Sequence, residues 1–282
     1  VIETSNGSIG DELPPTSASA RPATLLAAAF GDQPNTWPLP TATTPNQLWL
    51  RAVAAGGQGR YGVAYSDLAQ LRRSVTSGRL ASLAHSTQAS FLRQLGWHTL
   101  ARGWDGRALA LAGDDPEAGC DALVGLAADA LGIGRLAASA ALLARAETLP
   151  VDERQAVRRR WVAAELAMAG GDGATAVSHA QEAVELAQAM TVLSVRHRVK
   201  SDVVLAAACC SAGNIDRACA VAEAALDATG QFGLVPLQWA LSCLLIDIGK
   251  VTLSAHKLRE LVDIRDICAG QVRDAGGNWR SA

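Results

Sequence analysis

A glycine followed five residues later by a small residue recurs six times, at Gly59 and Ala64, Gly103 and Ala108, Gly132 and Ala137, Gly171 and Ala176, Gly213 and Ala218, and Gly249 and Ser254. Seven residues before these glycines stand Ala52, Gly96, Gly125, Ala164, Ala206 and Ser242. Ala, Gly and Ser make up 100 of the 282 residues, so chance would put about two small residues in those six places; all six are small. Seven residues are two helical turns. The spacing therefore sets one small side chain on the inner face of a first helix, a glycine where that helix ends, and another small side chain one turn into a second helix. Two antiparallel helices then approach closely where they cross. Asp172 and Asn214, directly after their glycines, are natural N-caps for second helices.

Composition agrees with a helical chain. Ala supplies 56 residues, whereas Trp, Tyr and Phe together supply 12, and strands favour β-branched and aromatic side chains. A single hairpin cannot bury both of its apolar faces, so hairpins in series stack into a solenoid with a continuous core. The spacings between successive glycines are 44, 29, 39, 42 and 36 residues. The expected fold is an all-α solenoid of about six αα-hairpins.

These units resemble the tetratricopeptide-repeat family in a divergent form. The resemblance is carried by RRRWVAAELAMAGGDGATAV around Trp161 to Ala176, by SDVVLAAACCSAGNIDRACAVAEAAL around Asp202 to Leu226, and by the Leu95-Gly96 pair and Ala108 of FLRQLGWHTLARGWDGRALAL. Unit length varies where the family holds to about 34 residues. The resemblance covers residues 46–268 and implies a right-handed superhelix whose first helices line a concave face that binds an extended peptide or a partner helix.

Outside that span the sequence changes character. Seven of the ten prolines lie in the first 45 residues, so 1–45 reads as an extended or disordered arm with a short helix at Pro22 to Phe30. Residues 269–282, with Gly270, Gly276 and Gly277, read as a flexible tail. Arg outnumbers Lys 22 to 3, which together with the Ala content reads as a GC-rich, bacterial coding bias. A net charge of −2 excludes a globally basic nucleic-acid binder. No apolar run reaches the roughly 18 residues of a membrane span, the apolar stretch at 23–30 lacks the basic flank of a signal peptide, and a cytoplasmic location follows as the expectation. Cys120, Cys209, Cys210, Cys219, Cys243 and Cys268 form no C-x-x-C pair and read as free thiols.

Ten residues before the six glycines stand Trp49, Arg93, Ala122, Trp161, Val203 and Trp239; six before stand Val53, Trp97, Leu126, Glu165, Ala207 and Cys243. One reading is an aromatic groove of Trp49, Trp97, Trp161 and Trp239, flanked by Arg93, Arg158, Glu165 and Lys200, that takes a partly acidic peptide. The other is that equally spaced tryptophans fill the space between paired helices. Two basic clusters, Arg154, Arg158, Arg159 and Arg160 and then Arg196, His197, Arg198 and Lys200, precede first helices and would share one edge. That edge would suit nucleic acid or an acidic partner, or would simply be a solvated face.

For chemistry the sequence offers little. Asp114, Asp115 and Glu117 gather carboxylates but also spell an ordinary turn and helix start. The histidines lack the spacing of a zinc helix, and no phosphate loop, nucleophile elbow or dinucleotide fingerprint occurs. The expectation is a non-enzymatic scaffold or chaperone-like adaptor without metal or cofactor, whose partner is another protein or peptide. Homo-oligomerisation is compatible with it, and the alternative is a regulatory solenoid whose basic edge contacts nucleic acid.

Overall fold

The computed structural model describes residues 17–150, 152–249 and 253–280; residues 1–16 of the expected arm lie outside them. Among the described residues there are thirteen helices and no strand. After α1 (Ser17–Phe30) come α2 (Pro45–Gly57) and α3 (Tyr61–Ser74), then α4 (Gly78–Gln94) and α5 (His98–Ala112), then α6 (Pro116–Gly132) and α7 (Leu136–Glu147). They are followed by α8 (Glu153–Ala169) and α9 (Gly173–Ala189), α10 (Val195–Ser211) and α11 (Ile215–Gln231), and α12 (Val235–Gly249) and α13 (Ala255–Asp274).

The turns that join α2 to α3, α4 to α5, α6 to α7, α8 to α9 and α10 to α11 share one construction. Gly59, Gly96, Gly134, Gly171 and Gly213 all take positive φ. At each, the next residue donates its N–H to the carbonyl five positions back, as in Trp97 to Leu92 at 2.8 Å and Asp172 to Ala167 at 3.0 Å. That bond satisfies a carbonyl the helix end would otherwise leave open.

Two of the expected turn glycines are therefore displaced. Gly103 lies inside α5 with no neighbouring group within 4 Å, and Gly132 is the last helical residue of α6, two short of the turn. Gly249 ends α12, and the link to α13 passes through 250–252, outside the described residues. With Gly96 and Gly134 in place, the intervals between the five turns become 37, 38, 37 and 42 residues. Seven residues before the five glycines now stand Ala52, Ala89, Ala127, Ala164 and Ala206, all fully buried. Five after stand Ala64, Ala101, Ser139, Ala176 and Ala218, also fully buried. The crossings are close because every one is made by a methyl or a hydroxymethyl group.

Consecutive helices pack on one another throughout. The first helices also touch in succession, α2 on α4, α4 on α6, α6 on α8, α8 on α10 and α10 on α12, and form an inner layer. Helices α3, α5, α7, α9 and α11 each pack between the inner helices before and after them.

The short helix expected in the arm is there as α1, while the rest of the described arm and the tail depart from the expectation. In the arm, Leu25, Ala28 and Ala29 repeat at helical spacing and are buried, and the Phe30 ring lies 5.3 Å from that of Trp49. The proline-rich stretch that follows is held by Gln58, whose Nε2 donates to Pro34 O at 2.8 Å and Thr36 O at 2.9 Å. Instead of a flexible tail, 269–280 continues α13 and then runs along the first hairpins. Gly62 N donates to Ala275 O at 2.7 Å, Trp97 Nε1 to Asn278 O at 2.7 Å and Arg280 N to Leu95 O at 2.9 Å. These bonds join the beginning of the helical array to its end, so the inner helices surround a central space.

Candidate functional site: a central basic cavity

All six inner helices contribute to a cavity of about 370 Å³. Arg93, Arg158, Trp161, Glu165, Lys200 and Trp239 line it, side by side with His98, Arg196 and His197, which the groove reading did not include. The six groove candidates meet because they lie on α4, α8, α10 and α12, inner helices that border one central space.

The tryptophans divide between the two expected roles. Trp49 is 5% exposed, and its Nε1 donates to Thr87 Oγ1 of α4 at 3.0 Å. Trp161 repeats that contact three units later, donating to Ser201 Oγ of α10 at 2.9 Å, yet it also borders the cavity and stacks on His197 at 5.4 Å. Trp239 faces the cavity and stacks against Trp279 at 4.2 Å between ring centres. Trp97 stands before α5, and its indole is engaged by the C-terminal segment.

The charged groups also divide. Arg93 is a structural hub: Nη1 donates to Asp105 Oδ2 at 2.8 Å, to Asp129 Oδ1 at 2.6 Å and to Gly125 O at 3.1 Å. Burial pushes the Asp105 carboxyl well above the usual carboxylate range and raises Asp129 too, against the opposing pull of the one guanidinium that faces both. Gly125 is glycine because a methyl group there would collide with the Asp105 carboxylate. Lys200 Nζ lies 3.4 Å from Glu165 Oε1, a partly exposed pair that contributes little to stability and keeps both groups at the cavity wall.

The basic clusters do not form a solvent-facing stripe. Arg154 and Arg159 are buried. Arg154 pairs with Glu117 at 2.9 Å and Asp121 at 3.4 Å, and Arg160 with Glu147 at 2.8 Å. Arg159 donates to Leu149 O at 2.8 Å and to Ala146 O, beyond and within the last turn of α7; Arg198 donates to Ala187 O at 3.3 Å and Gln188 O at 3.1 Å in that of α9. A cation at a helix C-terminus satisfies open carbonyls and complements the macrodipole, which accounts for basic residues at this place in two successive units. Arg196 is the exception. It turns inward, donates Nη1 to Val53 O at 3.1 Å, and has no carboxylate within 4 Å among the described residues. Burial first, then Arg158 and Arg154, lower its pKa to about 10, so it stays charged at neutral pH.

Asp115 accepts from Ala118 N at 2.8 Å as the N-cap of α6, and Glu117 pairs with Arg79 and Arg154. Among the described residues no three His, Cys, Asp or Glu side chains are grouped to hold a metal ion, and no helix is long and apolar enough to cross a membrane. Compared with known family models and with curated proteins, the chain matches none.

Proposed function

We propose that the chain is a non-enzymatic protein-interaction module, a divergent tetratricopeptide-type, right-handed superhelix of about six hairpins. Its inner face takes a short apolar and acidic segment of a partner protein. The observation that carries this reading is the convergence of Trp161, Trp239, Glu165 and Lys200 on one half-exposed cavity wall. Aromatic faces offer a large contact area at low entropic cost, and the neighbouring cations select an acidic residue in the segment. Because the first and last helices touch, the site accommodates the tip of a segment rather than a long helix, which is about 10–12 Å across. The basic-edge reading has less support, since its guanidiniums are buried or engaged with carbonyls and carboxylates.

Arg93 and Trp97 are unsuitable for testing this site. Loss of Arg93 strands two buried carboxylates, a change that typically costs about 3–5 kcal/mol. A photo-crosslinker placed at Ala128 or Trp239 is the better test. The expected result is an adduct with a peptide of apolar and acidic residues, abolished by Ala128→Phe in a crosslinker-Trp239 chain that keeps its melting temperature. Adducts that form equally well from the exposed Val192 would overturn the placement.

A further inference from the structure

Behind the cavity wall lies a second space of about 40 Å³. By that measure one water needs about 10–15 Å³, so the space holds a small polar group. The two spaces share Ser90, Gln94, Arg158 and Arg196 in their lining. The smaller space, which adjoins the larger through those four residues, is also lined by Ser86, Thr87, Arg154 and Asp121.

The deep space has more positive charge than its surroundings balance. Asp121 faces both Arg154 and Arg158, at 3.4 Å from each, and those two cations hold its carboxyl below the usual range despite burial. Glu117 is divided between Arg154 and Arg79. Arg196, beside them, has no carboxylate within reach among the described residues. An internal cation without a counter-charge is costly, and low-dielectric walls focus its field into the space it faces.

Hydrogen-bonding capacity is left over in the same place. Ser86 is 6% exposed, and its Oγ has no hydrogen-bond partner. Arg158 Nε and Asp121 Oδ1 face each other at 3.4 Å as an ion pair without a hydrogen bond. Buried polar groups are ordinarily paired, so an unpaired hydroxyl beside an unbalanced guanidinium describes a place built for an acceptor. The larger space also has an apolar lining, supplied by Val124, Leu131, Val162, Leu237 and Trp161. Its volume falls in the range of about 300–1,000 Å³ typical of small-molecule sites.

We propose that the chain binds a small amphiphilic anion, its carboxylate or phosphate head group received by Ser86, Arg158 and Arg196 and its apolar body lying in the larger cavity. This goes beyond the partner-segment reading and is tested on the purified chain alone, so failure of either leaves the other standing. Laurate and dodecyl phosphate, titrated below their micellar concentrations in a calorimeter, distinguish the two head groups. The expected result is saturable one-to-one binding of at least one of them, with dodecanol at least tenfold weaker. Ser86→Ala removes a hydroxyl with no protein partner, so the melting temperature should hold while affinity falls several-fold. Arg196→Met should lower affinity at least tenfold, and Arg196→Lys should recover part of it. Equal affinity for dodecanol, no saturable binding of either anion, or unchanged affinity in a folded Ser86→Ala chain would each overturn the proposal.

Discussion

His197 shows how far a single residue's behaviour is set by its surroundings. It is 2% exposed, and its Nδ1 lies 2.8 Å from Ser194 Oγ. Burial above all, then the positive charges of Arg196, Arg154 and Arg158, hold its pKa well below the ordinary imidazole value. The unfolded chain takes up a proton near pH 6.5 while the folded chain does not. Between those two values the unfolded state binds more protons, so stability falls as pH falls, by up to about 1.4 kcal/mol per pH unit. His85 and His98 are lowered too, both by burial first, and add to the same slope. The melting temperature should therefore drop between pH 7 and pH 5, and by less in His197→Gln. Parallel drops in both proteins would show that His197 is not responsible.

At the scale of elements, the crossings depend on side-chain volume at two positions per unit. Ala127 on α6 and Ser139 on α7 are both fully buried where those helices meet. Ala127→Leu should cost about 1–3 kcal/mol through overpacking, whereas Ala141→Leu, exposed on α7, should be near neutral in chemical denaturation. A neutral Ala127→Leu would mean that the helices have room to part. The repeat was legible in the sequence because this packing needs small residues at fixed distances from a turn. The displacement to Gly96 and Gly134 was not legible by spacing alone, since Gly103 and Gly132 satisfy the same spacing inside helices. What separates them is positive φ, found at Gly96 and Gly134 and not at Gly103 or Gly132.

For the whole molecule, the decisive contact joins its two ends. Trp279 stacks on Trp239, its Nε1 donates to Ala269 O at 3.3 Å, and Arg280 next to it pairs with the backbone of Leu95. Trp279→Ala should lower stability by about 2 kcal/mol, less than the 3–5 of a fully buried aromatic, and should loosen the closure. Small-angle scattering would register that as a larger radius of gyration. An unchanged radius with unchanged stability would show that the other end-to-end bonds suffice.

The sequence by itself determined that the chain is helical, because helix period and turn spacing are local properties; it offered Trp161, Glu165, Lys200 and Trp239 for a groove but left core packing open for the tryptophans. It also marked Trp49 and Trp161 as equivalent, and they make equivalent indole-to-hydroxyl bonds. Only the tertiary structure decided that the proline-rich arm and the glycine-rich tail are folded onto the body, that the basic clusters cap neighbouring helices, and that Arg196 faces inward unpaired beside Ser86. The folded tail and the inward Arg196 rest on contacts between residues 100 or more apart, such as Trp97 with Asn278 and Arg196 with Val53. No local pattern records such a contact; it exists only once the array curves far enough for its ends to meet.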